Sequence, residues 1–163
     1  MSNLLGGQAL ALGVLGTTVS KDQTIAAETR DLFTVSGLVL VTGIVGKVTT
    51  AMTVANTVKL ISNPTTGTSS DLVAATDLGT TDTPAGNLLS ISGAPTGSIV
   101  SGIGAVAKYP ISKVSTDYLG SVDGIYMAAG VIQAVVTGTS PDGAITWHLS
   151  YVPIESGAAV TAA

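Results

Sequence analysis

Histidine and cysteine, which often serve as catalytic or metal-binding residues, are almost absent from this chain. His148 is the only histidine and there is no cysteine, so disulfides and thiolate metal sites are excluded. A catalytic triad would place His148 beside an activated serine, and no G-x-S-x-G elbow occurs. A zinc site needs more histidine or cysteine ligands than the chain has. We therefore predict no catalytic residue and no metal ligand, and we interpret His148 as a surface or interface residue.

Five of the ten acidic residues form two groups in loop-rich stretches. One group holds Asp71, Asp77 and Asp82, and the other holds Asp117 and Asp123. Calcium needs about six to eight oxygen ligands at tight spacing, and neither group follows an EF-hand pattern or a glycine-rich calcium repeat. Glycosidase chemistry needs two carboxylates that flank a cleft, and the sequence favours no such pair. Solvated loop carboxylates are the simpler interpretation.

The abundant glycines do not form a phosphate-binding loop. No G-x-x-x-x-G-K-[ST] motif occurs, and Gly102-x-Gly104 lacks both a third glycine at the right offset and a following helix pattern. Glycines in this setting typically interrupt or end β-strands. The sequence therefore predicts no cofactor and no enzyme.

The chain carries little charge for its length. Only 10% of its 163 residues are charged, against about 25% in typical soluble domains, and the net charge is −4. Nucleic-acid binding needs clustered basic residues, so we do not expect it. A surface this poor in charge is either built from small polar residues or covered by partners, and we favour partners. The basic residues are scattered: Lys21, Arg30, Lys47, Lys59, Lys108 and Lys113.

The sequence predicts an apolar arm followed by one β-domain. Met1–Ser20 is interpreted as an extended or partly helical arm that packs on neighbours, and an ordinary first strand is the alternative. Asn3–Ser20 has no charge, but glycines interrupt it and no positive segment precedes it, so we expect neither a membrane span nor a secretory signal. The domain is Lys21–Ala163, and its polar beginning, Lys21–Asp31, is a short helix or a link.

The longest β-type stretch of the domain is Asp31–Ile61, which we expect to form two or three central strands. Valine, isoleucine, leucine, threonine and phenylalanine dominate it, as suits a pleated, half-buried surface. Leu38–Val41 is apolar on both faces, which predicts a strand covered on both sides, in part by another subunit.

Turn signals separate further short strands. We predict strands at Asp71–Ala75 and Leu88–Ser92, and loops at Asn63–Gly67, Gly79–Gly86 and Gly93–Gly97, where proline and glycine favour turns. An irregular excursion is expected over residues 98–127.

The C-terminal part predicts a hairpin. Val131–Thr137 and Ala144–Val152 are joined by Gly138–Gly143, which contains a Pro-Asp-Gly turn. Strand alternation puts Trp147, Leu149 and Tyr151 on a buried face and Thr146, His148 and Ser150 on a wetter one. With about eight to ten short strands in all, the fold class is all-β, a single-domain sandwich or barrel-like fold.

Two segments carry a pattern of β-rich sequence. The first runs from Leu32 to Gly67, through Leu32–Gly37, Val41–Val48 and Lys59–Gly67, and the second is Trp147–Ala163; together they span about a third of the chain. Both resemble a family of small β-rich structural proteins of tailed bacteriophages. The resemblance lies in the pattern of β-rich sequence and carries over no site residues. It implies a virion component with a capsid decoration or cement role.

The leading hypothesis is therefore a non-enzymatic decoration protein on the outer capsid surface. It would bind between major capsid protein subunits as a homo-oligomer, with a trimer favoured, and would have no nucleic-acid or membrane partner. One alternative is a tail component of the tube, fibre or baseplate. Another is a carbohydrate- or receptor-binding sandwich that uses Trp147, although aromatic residues make up only 4% of the chain.

Overall fold

The structure, a computed structural model, describes residues 16–91, 99–101 and 124–163. Within these ranges the chain forms eleven β-strands and no helix. The strands are β1 (Thr17–Thr24), β2 (Thr29–Ser36), β3 (Val39–Thr50), β4 (Asn56–Pro64), β5 (Ser70–Asp77), β6 (Leu88–Ile91), β7 (Ile99–Ser101), β8 (Ile125–Met127), β9 (Gly130–Gly138), β10 (Ala144–Pro153) and β11 (Ala159–Ala162).

The strands form two antiparallel sheets, so the predicted all-β sandwich is confirmed. The first sheet, sheet A, has the order β1-β10-β3-β6-β7, and β8 also pairs with β3. The second sheet, sheet B, has the order β11-β2-β9-β4-β5. No helix in the described ranges is long and apolar enough to cross a membrane.

The pairing follows a nested pattern. β4 pairs with β5, β3 with β6, β2 with β9 and β1 with β10, each pair enclosing the previous one along the chain. Eight strands paired in this way and divided between two sheets have the order of a jelly roll. β7, β8 and β11 are additions to its edges. A consequence is that most connections lead from one sheet to the other.

The core lies between the two sheets and is built by strand alternation. On β9, Ile132, Ala134 and Val136 are buried while the residues between them are half-buried, which is the period of two expected for a pleated strand. On β10, Trp147 and Leu149 are fully buried, as predicted. The indole Nε1 of Trp147 donates a hydrogen bond to the Gln23 side-chain oxygen at 2.8 Å, which satisfies the one polar atom of a buried tryptophan.

The predicted C-terminal hairpin is wrong, although both of its strands are present. β9 lies in sheet B between β2 and β4, whereas β10 lies in sheet A between β1 and β3. The Pro-Asp-Gly sequence at Pro141–Gly143 correctly indicates a chain reversal, but a reversal does not determine which strands pair. Here the reversal carries the chain across the sandwich.

The predicted boundary between arm and domain also changes. β1 begins at Thr17 and pairs with β10 from Tyr151 to Ala144, so the boundary after Ser20 lies inside a strand. Residues 1–15 of the arm are outside the described residues. The expected short helix or link at Lys21–Asp31 is wrong, because most of it belongs to β1 and β2 and only a short crossing separates them.

The central stretch Asp31–Ile61 forms three strands, as expected, and they are divided between the two sheets. β3 lies in the middle of sheet A, and β2 and β4 flank β9 in sheet B. Val39, Leu40 and Val41 are all buried within the single chain. We expected another subunit to cover part of this strand, but these three residues are already covered by their own chain.

The shorter predicted elements are largely confirmed. β5 and β6 cover the predicted strands Asp71–Ala75 and Leu88–Ser92, except Ser92, which lies outside the described residues. The loops at Asn63–Gly67 and Gly79–Gly86 are present, apart from the last two residues of β4 and an isolated bridge between Thr83 and Met52. The predicted turn Gly93–Gly97 and most of the excursion at 98–127 lie outside the described residues.

Gly46 on β3 makes room for Trp147, its register partner on β10. A Cβ atom at Gly46 would lie 2.9 Å and 3.1 Å from two carbons of the indole ring. We therefore expect Gly46→Ala to lower the free energy of unfolding by about 1–3 kcal/mol, as overpacking of a core does. Urea denaturation followed by far-UV circular dichroism measures the change.

The double variant with Trp147→Phe provides the control for this interpretation. Phenylalanine has one ring in place of the two fused rings of indole and so lacks part of the surface that meets the added methyl group, which means that Gly46→Ala should cost less in that background. An equal cost in both backgrounds would mean that the indole is not what excludes a side chain at Gly46.

Candidate functional site

The one histidine lies where the strand pattern placed it. His148 is half-buried on the outer face of sheet A, with Ser20 of β1 and Val45 of β3 as its register partners. In the part of the chain that the structure describes, no three side chains of the His, Cys, Asp or Glu type come together as metal ligands would.

The first acidic group is not brought together. Asp71 is at the start of β5 and forms an ion pair with Lys59 at 2.7 Å, whereas Asp77 is at the end of the same strand, about 20 Å away in an extended chain. Asp77 instead accepts hydrogen bonds from the backbone amides of Gly79 at 3.1 Å and Thr80 at 3.0 Å. Together with the Thr80 hydroxyl, which contributes most, these bonds lower the pKa of Asp77. Asp82 is exposed.

The second acidic group, Asp117 and Asp123, lies outside the described residues, as does the motif at Gly102 and Gly104. Of the five carboxylates in the two groups, Asp71 therefore serves a surface ion pair and Asp77 a local turn.

An open cleft of about 170 Å³ lies beside Asp77 at the end of sheet B. Asn56, Thr57, Thr80 and Thr137 are among the residues that line it, although most of the lining surface is apolar. Thr57 and Thr137 are joined by a hydrogen bond of 2.7 Å. Pockets that bind small molecules usually measure about 300–1,000 Å³. The cleft is smaller than that range and holds a single carboxylate, so it offers little for recognition.

Trp147 cannot serve as a sugar platform. Its side chain has no exposed surface, and its indole is committed to Gln23 in the core. A ring that stacks on a sugar must be exposed, so the carbohydrate-binding alternative loses the residue on which it depended.

The basic side chains remain dispersed on the fold. Arg30 pairs with Glu28 at 2.6 Å, Lys59 pairs with Asp71, and Lys21 donates to the backbone oxygen of Ala163. Lys108 and Lys113 are outside the described residues.

Four crossings between the sheets meet at one end of the sandwich, which we call the bridged end. They are residues 25–28, 51–55, 78–87 and 139–143. The amide of Ile25 donates to Gly143 at 3.0 Å, and Met52 and Thr83 exchange backbone hydrogen bonds at 3.0 and 2.9 Å. The crossings are thus hydrogen-bonded to one another, in addition to being joined to the strands that they connect.

Asp142 joins two of the crossings at the bridged end through three hydrogen bonds to a single carboxylate. Its carboxylate accepts hydrogen bonds from the Thr53 amide at 2.8 Å, the Thr53 hydroxyl at 2.7 Å and the Val54 amide at 3.0 Å. Sequence reasoning treated Asp142 only as a turn residue. Its partners are almost ninety positions away in the chain, at a sequence separation of 89 for Thr53, so no local pattern could reveal them.

These hydrogen bonds lower the pKa of Asp142, with the Thr53 hydroxyl contributing most, followed by the Thr53 and Val54 amides. A carboxyl whose folded-state pKa is depressed stabilises the fold while it is ionised. The stabilisation is therefore fully present above the ordinary value of 3.8 and is lost as the pH falls through the lower folded-state pKa.

The other notable surface is apolar. Among the described residues, the exposed large apolar side chains are Val54 at the bridged end and three at the opposite end of sheet A. Those three are Ile125 (39% exposed), Tyr126 (67%) and Ile154 (47%). They flank the start of β3, where Leu40 has Tyr126 and Val152 as register partners. We call Ile125, Tyr126, Val152 and Ile154 the apolar corner.

Asp142→Asn should lower the melting temperature at pH 7, because an amide cannot accept all three hydrogen bonds that the carboxylate accepts. The difference in melting temperature from the natural chain should narrow as the pH falls below the ordinary value of 3.8 and through the lower folded-state pKa of Asp142, where the natural carboxyl becomes protonated. Thermal unfolding followed by circular dichroism between pH 2 and pH 7 measures both effects.

Asp82→Asn is the matched control, since it removes an exposed carboxylate from a neighbouring crossing. A gap for Asp142→Asn that stays constant over the pH range, or that equals the effect of Asp82→Asn, would contradict the assigned role.

Comparison with known proteins identifies no relative: no family model, no curated protein and no solved structure matches this chain.

Proposed function

We propose that this chain is a non-enzymatic structural protein of a tailed-phage virion. In this proposal it is a capsid decoration (cement) protein that binds the outer surface of the head between major capsid protein subunits, as a homotrimer. The observation that carries the proposal is a charge-poor jelly-roll sandwich that leaves an apolar corner exposed on one chain.

The jelly-roll order gives the proposal its first support. Viral capsid domains share this architecture, as do lectin domains and cupins. A fold by itself does not determine function, so the choice among these classes depends on the surfaces. The resemblance of Leu32–Gly67 and Trp147–Ala163 to phage structural proteins favours the virion.

The outer face of sheet A gives the second support. Most outward side chains of β1 and β10 carry hydroxyls, among them Thr18, Ser20, Thr146 and Ser150, and Asp22 is the charged one. Thr18 is hydrogen-bonded to Ser150 at 3.1 Å, and the Thr146 hydroxyl donates to Asp22 at 2.6 Å. The centres of protein interfaces are depleted of charged residues, because desolvating a charge costs much more than desolvating a hydroxyl that keeps a hydrogen bond. Faces of this kind suit burial against another protein.

The apolar corner gives the third support. Tyrosine is enriched at interfaces because one side chain offers a large apolar ring and a polar tip. Tyr126 is two-thirds exposed and has isoleucines and a valine as apolar neighbours on the same end of sheet A. Such a group is well suited to contact a second protein.

The tail component remains the main alternative within the virion, since a charge-poor sandwich with an apolar corner would also suit a tube or baseplate contact. The location in the particle separates the two.

Cryo-electron microscopy of intact particles that carry this chain tests the proposal. We expect sandwich-shaped density in three-fold clusters on the outside of the head, in contact with the major capsid protein. Particles from which the gene has been deleted should lack this density, and adding the purified protein should restore it. Density confined to the tail would overturn the capsid placement, and its absence from the whole particle would overturn the virion role.

A further inference from the structure

We propose that Lys21 prevents the edge of β1 from pairing with β1 of a second copy of this chain. The edge of a sheet presents unpaired backbone N–H and C=O groups, which makes it a template for a further strand. The inference goes beyond the proposed function and does not rest on it, since it concerns a surface that the chain keeps out of self-association.

Most strands at the sheet edges are short or irregular. Among the described strands, sheet A ends in β1 on one side and in β7 and β8 on the other, and sheet B ends in β11 and β5. β7 and β8 have three residues each and β11 has four, while two register shifts interrupt the pairing of β5 with β4. Short length and bulges both discourage the addition of a further strand.

β1 is the exception, because it is both long and regular. Its eight residues pair with β10 without a register shift and include no proline. Its distinguishing feature is Lys21, the register partner of Trp147, whose side chain is fully buried between the sheets. Opposite residues of an antiparallel pair lie on the same face, so Lys21 is directed inward. An inward-pointing charge is a further means by which natural proteins protect an edge strand.

The ammonium group of Lys21 lies at the rim of the core. The residue is half-buried, and its Nζ donates to the backbone oxygen of Ala163, directly after β11, which lies against β1 on this side of the sandwich. A strand added beside β1 would cover this side and remove the remaining water from the ammonium group. Taking a charge out of water without a counter-charge is costly.

A second copy would also bring a second lysine to the same place. If two β1 strands extend sheet A, inward residues must pair with inward residues, because a slip by one residue exchanges the faces. The two registers with the longest overlap put Lys21 opposite either Lys21 or Val19 of the other copy. The first places like charges directly opposite each other, which destabilises the pair, and the second places them on a diagonal that long side chains still span.

Lys21→Val tests the proposal, because it removes the charge and keeps a residue that favours strands. By light scattering, we expect species of at least about twice the mass of the natural protein, since a contact between two β1 strands is two-fold symmetric. The matched control is Lys47→Val, which removes an exposed lysine from the outer face of β3, a central strand. It should keep the natural mass, and so should Lys21→Arg, which retains the charge.

A cysteine at Ser20 locates the contact, because the natural chain has none. Ser20 is exposed and lies opposite Ser20 of the other copy in the register that pairs Lys21 with Val19. After mild oxidation, Ser20→Cys combined with Lys21→Val should give several-fold more disulfide-linked dimer on a non-reducing gel than Ser20→Cys alone. Thr34→Cys combined with Lys21→Val is the control, since Thr34 is exposed on a strand inside sheet B.

A natural mass for Lys21→Val would overturn the proposal, and so would equal association of Lys21→Arg, since the charge would then not be what prevents pairing. Equal dimer yields from Ser20→Cys and Thr34→Cys would place the contact elsewhere and overturn it as well. If Lys21→Val lacks the far-UV circular dichroism of the natural chain, Lys21→Thr replaces it, and loss of the spectrum in both would mean that folding itself requires Lys21. All these measurements use purified protein, so their outcome is independent of the capsid placement.

Discussion

The chain crosses from one sheet to the other at most of its connections, and each crossing takes backbone amides away from the ladders that would pair them. A backbone amide that is neither paired nor hydrated is costly. At the bridged end the crossings solve this problem by pairing with each other, and the Asp142 carboxylate binds two amides and a hydroxyl of the crossing that contains Thr53 and Val54. The sandwich therefore depends on contacts between segments far apart in sequence as much as on its ladders.

The sequence predicted the features of the fold that depend on near neighbours. The alternation at Trp147, Leu149 and Tyr151 identified a strand and its buried face, because side chains of a strand alternate whatever the strand pairs with. The turn residues at Pro141–Gly143 likewise identified a chain reversal, because a turn depends only on residues that are adjacent in sequence. Pairing was not predictable in this way: β9 and β10 are adjacent in sequence, yet nesting of the strands places them in opposite sheets.

The candidate surfaces likewise combine features that near neighbours in sequence determine with features that depend on strand pairing. That Trp147 belongs to the core followed from its strand, but its hydrogen bond to Gln23 and its need for Gly46 as a neighbour depend on the pairing of β10 with β1 and β3. The apolar corner likewise depends on topology, since β8 joins β3 across a long separation in sequence. Low charge predicted that some surface would be buried in an assembly, whereas the fold shows which large apolar side chains are exposed on the single chain.

The structural role that we propose in the phage head would account for these features together: a sandwich whose crossings are hydrogen-bonded to one another at one end, with few charged residues and with an apolar corner at the other end. The most direct test of that role is quantitative mass spectrometry of purified tailless heads and of tails separated from them. The account predicts this chain in the heads, in a copy number comparable to that of the major capsid protein. Its absence from heads, with recovery in the tail fraction or in neither, would contradict the account.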